Sequence, residues 1–230
     1  MKDNDNATPL KSYLYDSQIE DTIPYYSYFH TETINLIKSL FDEPKTWLDT
    51  GCGTGSLVKR ALDVFLNTKF LLLDPSKGML KQAKEKLSGV SEDRLTILKP
   101  SATQEFTQKL EDKIDVITAI QCHHYLSPKD RVKATEVCYN LLKDDGIYIT
   151  FENIKPFTNK GIEIGKRYWR NFQLSRGKDS EEVENHIARF DVEYFPITVE
   201  NHLSLLRESG FDTVELFWYS YLQAGFYCIK

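Results

Sequence analysis

The sequence predicts an α/β domain built on a mostly parallel sheet with helices on both faces. Between residues 45 and 153, apolar runs of strand length alternate with amphipathic segments of helix length. The strand runs are apolar throughout, which is typical of strands buried on both faces of a parallel sheet. With 230 residues, of which 41% are hydrophobic, the chain can bury a large core, and we expect one domain spanning residues 1–230.

Five strands and four helices are predicted in the alternating region. The apolar runs place strands at residues 46–50, 69–74, 94–100, 115–121 and 147–153. The intervening helices are expected at residues 55–66, 76–89, 103–112 and 128–142. The last of these helices has the clearest start, because Ser127 can cap it and Pro128 fits the first helical position. This alternation indicates parallel strands joined by crossover helices.

The segment before the first strand is expected to cover the site. Residues 1 to about 12 are polar and are predicted to be a frayed terminus. Thr31 is predicted to cap a helix that continues to Phe41, because apolar residues recur there at helical spacing. We interpret residues 1–44 as an N-terminal cap segment.

The pattern changes after residue 153. A mostly helical insertion over residues 157–188 is expected to form a second cover over the site. A capped helix follows at residues 198–210. Two closing apolar runs, at residues 213–218 and 223–230, are close together in sequence and are predicted to pair antiparallel at the end of the sheet.

Composition excludes several classes of protein. The net charge of −5 and the pI near 5.6 argue against binding to nucleic acid or anionic membranes through bulk charge. No run approaches 18 apolar residues, and the first residues have no apolar core of a secretory signal. The four cysteines are scattered singly without CxxC spacing, as expected of reduced thiols. We therefore expect a soluble cytoplasmic protein.

A glycine loop between two acidic residues is the strongest local signal. Gly51, Gly53 and Gly55 follow the first strand and open a helix, so the loop backbone can approach a ligand closely. Asp49 lies at the end of the first strand, where its carboxylate would favour a cationic group over a pyrophosphate. Asp74 ends the second strand, where a carboxylate can accept hydrogen bonds from the hydroxyls of a ribose.

Five stretches, in order along the chain, resemble the motifs of the class I S-adenosylmethionine-dependent methyltransferase superfamily. They are LDTGCGTG, LLLDPSKGML, ILKPSA, DVITAIQCHHYL and LLKDDGIYITFEN. The resemblance implies a Rossmann-like fold with a seven-stranded, mostly parallel sheet whose last strand is antiparallel. It implies S-adenosyl-L-methionine as cofactor, S-adenosyl-L-homocysteine as product, and a set of cofactor-binding residues: Asp49, Gly51, Gly53, Gly55, Asp74, Pro75, Ser76, Met79, Ser101, Ala102, Gln121 and Tyr26.

The same resemblance implies a role for each part of this set. The glycine loop and Asp49 would line the methionine moiety, and Asp74 would bind the ribose. The residues directly after Asp74 would pack beside the adenine, and Gln121 would face the methionine end. Ser101 and Ala102 stand where the superfamily often has Asp-Ala, so the usual carboxylate contact to the adenine amino group is missing.

Catalytic residues are expected at the carboxyl ends of the strands, where open parallel sheets bind ligands. His123 and His124 follow the fourth strand, and Glu152 ends the fifth. These three residues are the candidates for a general base. The two histidines suit that role because a histidine titrates near neutral pH. The structural alternative is that one histidine caps a strand end and the other packs under the cofactor. Adjacent histidines can rarely both bind one metal ion, so no metal site is expected.

Two aromatic segments allow both a functional and a structural interpretation. The tyrosines around residue 25, among them Tyr15 and Tyr26, would either contact the cofactor or pack a terminal helix onto the sheet. Residues 165–178 carry five basic residues interleaved with aromatic ones, a pattern that can hold RNA or an anionic small molecule. Their helical spacing and the acidic stretch at residues 179–184 favour an amphipathic cover helix instead.

The C-terminal half also resembles a narrower group, the bacterial carboxy-S-adenosylmethionine synthases. The similar stretches are IPYY, residues 165–178 and residues 198–230. Two features depart from that group: Ile187 stands where the synthases hold the extra carboxylate with arginine, and Gly55 is a third glycine that they usually lack. Arg189 lies two positions beyond Ile187, on another helical face.

These observations predict an enzyme that transfers the methyl group of S-adenosylmethionine to a small-molecule O, N or S acceptor. Catalysis would be mainly proximity and desolvation. The alternatives are a carboxy-S-adenosylmethionine synthase-like enzyme, an RNA-directed methyltransferase and a non-catalytic S-adenosylmethionine-binding module. The expected partner is a small acceptor, with no membrane and a possible homodimer. Nucleic acid is not expected as a partner, although the basic residues at 165–178 leave RNA binding as an alternative.

Overall fold

A seven-stranded sheet organises the fold. The computed structural model describes residues 6–220 and 222–230. The strand order is β3-β2-β1-β4-β5-β7-β6, with β1 to β5 parallel and β7 antiparallel to both of its neighbours. The strands are Thr46–Thr50 (β1), Lys69–Leu73 (β2), Leu95–Ile97 (β3), Ile114–Ile120 (β4), Leu142–Asn153 (β5), Thr213–Ser220 (β6) and Gln223–Ile229 (β7). This topology confirms the predicted fold class.

Helices cover both faces of the sheet. They are Tyr15–Thr22 (α1), Tyr26–Leu40 (α2), Ser56–Leu62 (α3), Lys77–Lys86 (α4), Pro128–Leu141 (α5), Asn159–Ser175 (α6), Ser180–Ala188 (α7) and Val199–Glu208 (α8). Alternate residues along each strand pack into different core clusters: Trp47 belongs to the cluster with α1–α4, α6 and α7, whereas Leu48 belongs to the cluster with α5 and α8. The strands are therefore buried on both sides, as their unbroken apolar runs predict.

The capped helix starts are confirmed. The Ser127 hydroxyl accepts a hydrogen bond from the Asp130 N–H at 3.2 Å, and α5 begins at Pro128. The Thr198 hydroxyl accepts from the Asn201 N–H at 3.2 Å and starts α8. In both cases the side chain satisfies a backbone donor that the first helical turn leaves free.

One predicted helix start and one predicted helix are wrong. The helix predicted to start at Thr31 is α2, and it begins at Tyr26, after Tyr25 with a φ of 62°. The Thr31 hydroxyl donates to the Ser27 carbonyl within that helix. The helix predicted over residues 103–112 is reduced to a 3₁₀ turn at Thr103–Glu105. In each case burial of aromatic and polar side chains against neighbouring elements overrides the local pattern.

The N-terminal segment is also more ordered than predicted. Residues 1–5 lie outside the described residues, so the predicted frayed terminus is not compared there. From residue 6 onward the chain packs on the body, with Leu10 and Ser12 buried. The Asn6 side-chain amide donates to the Leu10 carbonyl at 3.0 Å and contacts the Ser12 hydroxyl at 3.2 Å. Local hydrogen bonds therefore stabilise a polar stretch that lacks helical or strand periodicity.

The N-terminal helices and the insertion contact each other. The Trp169 indole N–H on α6 donates to the Thr22 carbonyl at the end of α1 over 2.6 Å. On the surface, the Arg176 guanidinium pairs with the Asp21 carboxylate at 2.7 Å. Within the described residues, no helix combines the length and apolarity needed to cross a membrane.

We expect Trp169→Phe to lower the free energy of unfolding by about 1–3 kcal/mol, because the buried Thr22 carbonyl loses its donor. Urea unfolding followed by circular dichroism measures this difference. Tyr219→Phe is the matched aromatic control, since Tyr219 is 59% exposed on β6. An unchanged midpoint in Trp169→Phe would show that the contact between α1 and α6 contributes nothing to stability.

Candidate functional site

A cavity of about 300 Å³ opens at the carboxyl ends of β1, β2 and β4. We call it the main cavity, and its volume fits a small-molecule site. Nine of the predicted cofactor-binding residues line it: Tyr26, Asp49, Gly51, Gly53, Asp74, Pro75, Ser76, Met79 and Gln121. Three others do not line it: Gly55, Ser101 and Ala102. The sequence motifs therefore converge on one cavity, although three of their residues serve elsewhere.

The three glycines of the loop have different surroundings. Gly51 has a φ of 61°, and a Cβ there would lie 2.5 Å from the Cβ of Cys122. Gly53 has a φ of 53°, and its Cβ position has no atom within 4 Å, so the backbone is open to the cavity. Gly55 has a φ of 75° and packs against Leu87 of the segment after α4. Gly51 and Gly53 thus shape the cavity, whereas Gly55 allows α3 and α4 to approach.

Asp74 is held by backbone amides at the end of β2. The Gly53 N–H donates to one carboxylate oxygen at 2.9 Å, and the Ser76 N–H donates to the other at 2.8 Å. Burial raises the pKa of Asp74, while these two amides oppose the rise. Ser76 also caps α4 through the Met79 N–H at 3.0 Å. Both carboxylate oxygens keep a lone pair for hydroxyl donors of a ligand.

Asp49 is buried at the end of β1, next to the glycine loop. Its carboxylate accepts from the Thr118 hydroxyl at 2.6 Å, which in turn accepts from the Trp47 indole at 2.9 Å. Burial raises the pKa of Asp49 to about 7, and the charge of Asp74 adds to the rise. Among the described residues, no lysine or arginine lines the main cavity. The cavity therefore favours a cationic group over an anion.

The aromatic wall comes from α1 and α2. The Tyr15 and Tyr26 hydroxyls lie 3.3 Å apart, and both residues line the main cavity. Burial raises the pKa of each phenol, so both are neutral at physiological pH. His30 lines the cavity four residues after Tyr26, and burial lowers its pKa to about 3. Sequence reasoning missed His30, although its spacing of one helical turn from Tyr26 could have indicated the shared face.

A second contact that sequence reasoning missed ties α1 to the glycine loop. The Asp16 carboxylate accepts from the Thr54 hydroxyl at 2.6 Å and from the Ser56 hydroxyl at 3.1 Å. The Lys86 ammonium pairs with the same carboxylate at 2.7 Å and donates to both hydroxyls. Thr54 and Ser56 line the main cavity, so this cluster joins α1 to the loop beside that cavity.

Ser101 and Ala102 lie behind the β2 end. The Ser101 N–H donates to the main-chain carbonyl of Asp74 at 3.2 Å, and its hydroxyl donates to the Ala102 carbonyl at 3.1 Å. Neither residue reaches the main cavity. Their proposed contact with the adenine therefore has no support from the cavity walls.

Gln121 combines backbone strain with an unpartnered side chain. Its φ of 56° lies in the left-handed region, and its N–H donates to the Phe151 carbonyl at 2.7 Å. The residue is 7% exposed, and both polar atoms of its amide lack a hydrogen-bond partner in the described part of the chain. Backbone strain and unpaired buried polar atoms both cost stability, and they are typical of sites where a ligand supplies the missing hydrogen bonds.

The three catalytic candidates form a network outside the main cavity walls. The Glu152 carboxylate accepts from the backbone N–H of His123 at 3.1 Å and of His124 at 2.9 Å. It also bonds the His124 ring at 2.6 Å and accepts from the Thr150 hydroxyl at 2.9 Å. Although burial opposes it, the hydrogen bond and charge of His124 lower the pKa of Glu152 to about 2. Burial lowers the pKa of His123 to about 4.

This network holds the turn that follows β4. All three candidates are nearly inaccessible, and none of them lines the main cavity. The turn that they anchor does reach it, through Gln121 and Tyr125. The arrangement favours a positioning role for Glu152 and the two histidines over direct proton transfer.

The basic helix is largely neutralised. Trp169 is buried, while Arg170 pairs with Glu184 and Lys178 pairs with Glu182 at 2.9 Å. These contacts favour the amphipathic cover helix over an RNA-binding surface. In the parts of the chain that the structure describes, no group of three or more histidine, cysteine or acidic side chains could hold a metal ion.

Comparison with known proteins gives consistent matches. Residues 48–148 match a family described as a methyltransferase domain. One relative is a carboxy-S-adenosyl-L-methionine synthase from Nautilia profundicola, 20% identical over 205 residues. That match covers 88% of this chain and 85% of the relative.

Solved structures match the whole fold. Plantazolicin methyltransferase BpumL, in complex with a triazolic desmethylPZN analogue and SAH, gives a TM-score of 0.69 at 14% identity, covering 94% of this chain and 89% of that one. A SAM-dependent methyltransferase from Leishmania major gives a TM-score of 0.62 at 19% identity, covering 90% of this chain and 73% of that one. The chain spans little more than half of several other matching structures. At these identities the likeness shows the fold.

We expect Glu152→Gln to destabilise the protein by about 3 kcal/mol at pH 6, because it leaves the buried His124 ring without its charged partner. The pKa of Glu152 is lowered to about 2, so its stabilising contribution is complete above the unfolded pKa near 4.5. It is lost as the pH falls through the folded pKa. Urea unfolding of both proteins between pH 6 and pH 3 should show the difference shrinking; a constant difference would contradict this contribution of the Glu152 carboxylate.

Proposed function

Because the chain belongs to the class I S-adenosylmethionine-dependent methyltransferase superfamily, we propose that it transfers the methyl group of S-adenosylmethionine to a small-molecule O, N or S acceptor. The observation that carries the proposal is the main cavity, where the glycine loop and two buried carboxylates meet under an aromatic cover. A bound S-adenosylmethionine supplies a methyl group that its sulfonium already activates.

The residues of the main cavity fit this cofactor. Asp74 is held by two backbone amides with lone pairs left for the ribose hydroxyls. The open Cβ position of Gly53 lets the backbone lie against a ligand. Asp49 offers a carboxylate to a positively charged group, and Pro75 and Met79 offer apolar contacts for a purine. Gly55, Ser101 and Ala102 remain predictions for cofactor binding.

The chain contributes to the reaction by positioning and by excluding water. The cluster of Asp16, Lys86 and the loop hydroxyls holds the N-terminal cover, and neutral Tyr15 and Tyr26 face the cavity. Glu152 fixes the turn that carries Gln121 and Tyr125. An in-line orientation in a site shielded from water lowers the barrier for transfer of an activated group. Neither imidazole of the turn lines the cavity, so a base at His123 or His124 stays a prediction.

A second candidate, a carboxy-S-adenosylmethionine synthase-like activity, is favoured by relatives that match most of the chain at 20–24% identity. The surroundings of Ile187 weigh against it, because Ile187 is buried in the core on α7. The Arg189 guanidinium, two residues later, pairs with Glu193 at 2.7 Å and donates to the Ala7 carbonyl at 2.6 Å. Mass spectrometry of the cofactor bound after expression distinguishes the two: a carboxylated cofactor supports the synthase.

Two further candidates are a non-catalytic S-adenosylmethionine-binding module and an RNA-directed methyltransferase. Release of S-adenosylhomocysteine with any acceptor excludes the binding module. An RNA-directed enzyme predicts salt-dependent binding to RNA that substitution of Lys166, Arg167 and Arg170 by alanine abolishes.

We expect Asp74→Ala to weaken binding of both S-adenosylmethionine and S-adenosylhomocysteine by about 100-fold or more, since two charge-assisted hydrogen bonds are lost. Isothermal titration calorimetry on the purified chain measures both constants. Asp63→Ala is the control, because Asp63 does not line the main cavity. Equal affinity in Asp74→Ala and the native chain would remove the ribose assignment, and no binding to the native chain would overturn the proposed function.

We expect binding of S-adenosylmethionine to tighten as the pH rises through 7. Asp49 has a pKa of about 7, so about half of its carboxyls are protonated at pH 7, and a cation bound beside it drives the proton off. Calorimetry at pH 7 in buffers of different ionisation enthalpy should detect release of about half a proton. Asp49→Asn should abolish that release. A release that persists in Asp49→Asn would assign the titration to another group.

A further inference from the structure

A small enclosed cavity lies between α1, the insertion helices and the carboxyl end of β4. We call it the side cavity; its volume is about 20 Å³, enough for one small chemical group. Apolar side chains form much of its wall, including Ile19, Ile23 and Trp169. Gln121 and Tyr194 also line it.

Three buried polar atoms at this cavity have no partner among the described residues. They are both polar atoms of the Gln121 side-chain amide and the hydroxyl of Tyr194. Gln121 is 7% exposed and Tyr194 is 1% exposed, so water outside the protein does not reach them. Unpaired buried groups are costly, and Gln121 adds the cost of its left-handed backbone. Two costs at one residue indicate a site that is completed by a ligand.

The protein holds these two side chains firmly in place. Tyr194 packs edge-on against Trp169 and against Tyr125, with ring centroids 6.2 Å apart in each pair. The next residue, Phe195, donates its N–H to the His124 carbonyl at 2.7 Å. This bond joins the segment of Tyr194 to the same turn that follows Gln121. The amide and the hydroxyl therefore have a fixed relation to each other.

No ionised side chain lines the side cavity in the described part of the chain. Its lining within the described chain contains no aspartate, glutamate, lysine or arginine. Its one histidine, His186, is neutral because burial lowers its pKa to about 3. Asn153 is already bonded, to the His124 ring at 3.2 Å and to the Gln223 amide at 3.4 Å. A charged group entering here would lose its hydration without finding a counter-ion.

The side cavity adjoins the main cavity. Both are lined by Thr8, Tyr15, Gln121 and Tyr125. A wider surface groove of about 870 Å³, which we call the outer groove, is also lined by Thr8 and Tyr125. The three spaces therefore adjoin around Thr8 and Tyr125, so a molecule in the outer groove lies next to the side cavity.

We propose that the side cavity is the subsite that receives an uncharged hydrogen-bonding group of the methyl acceptor, such as a hydroxyl or a carboxamide. The Gln121 amide donates to and accepts from this group, and the Tyr194 hydroxyl supplies a further bond. The acceptor is therefore neutral at this end, and the rest of it lies toward the outer groove. This inference rests on the proposed function and adds the chemical class of the substrate.

Three probes of one shape test the subsite: acetamide, acetate and acetamidinium, which are neutral, anionic and cationic. Each is titrated into ¹⁵N-labelled protein saturated with S-adenosylhomocysteine, and the Gln121 side-chain amide resonance is followed. Its assignment comes from its loss in Gln121→Met. Acetamide should shift this resonance, with a dissociation constant at least about tenfold lower than that of either ion.

Two variants distinguish hydrogen bonding by Tyr194 to a bound group from a purely structural role of this side chain. Tyr194→Phe, which removes only the unpartnered hydroxyl, should weaken acetamide binding about threefold to tenfold and leave S-adenosylhomocysteine binding unchanged. Tyr219→Phe, on the exposed face of β6, should change neither constant. No shift with acetamide, equal binding of the three probes, or an unaffected Tyr194→Phe would overturn the subsite. Failure of S-adenosylhomocysteine to bind, measured first by calorimetry, would instead overturn the proposed function.

Discussion

The site depends on the close approach of the glycine loop to the ends of β2 and β4, the strands on either side of β1. A Cβ at Gly51 would overlap Cys122 after β4, so the loop lies against that strand end only because residue 51 is glycine. On the other side, the Cys52 N–H donates to the Leu73 carbonyl at 3.1 Å, and the Gly53 N–H bonds Asp74. The loop is thereby fixed between β2 and β4, and the main cavity forms above it.

The charges of the site follow from this geometry. The approach of the loop buries Asp49 and Asp74 together, and burial raises the pKa of both carboxyls. In the described residues no lysine or arginine lines the cavity to offset them, and the nearby Lys86 pairs with Asp16 in the contact that holds α1. The protein has therefore retained two buried acids at a cost that a positively charged ligand reduces.

Much of the fold could be predicted from the sequence, because its signals are local. Each apolar run of strand length is a strand, and Ser127 and Thr198 start helices as their capping chemistry requires. The start of α2 could not be predicted, since its first turns are buried through tertiary contacts such as the stacking of Phe29 on Phe151 of β5. Residues 103–112 form only the 3₁₀ turn Thr103–Glu105, in which Thr103 is buried and after which Phe106 is buried.

Part of the candidate site could also be predicted from the sequence. That the acids at strand ends and two of the loop glycines line one cavity could be predicted, because a parallel sheet brings its carboxyl ends together. The contact of Asp16 with Lys86 could not, since it joins elements far apart in sequence. Nor could the sequence show that the three catalytic candidates lie behind the cavity wall. Their residue types suit proton transfer, but only the packing of β5 against the turn shows that Glu152 is used to hold two backbone amides.

The distribution of charge also bears on the acceptor. The main cavity places its carboxylates at the ends of β1 and β2, whereas the side cavity, beyond Gln121, has a neutral wall. Under the proposed function, a site that excluded water without stabilising charge would penalise an ionised acceptor, and the burial that would shield the transfer would also favour neutral groups. Burial lowers the pKa of His186 and raises that of Tyr15, which keeps both side chains uncharged in this wall. Desolvation and the proposed preference for a neutral acceptor group would thus both follow from the same apolar surroundings.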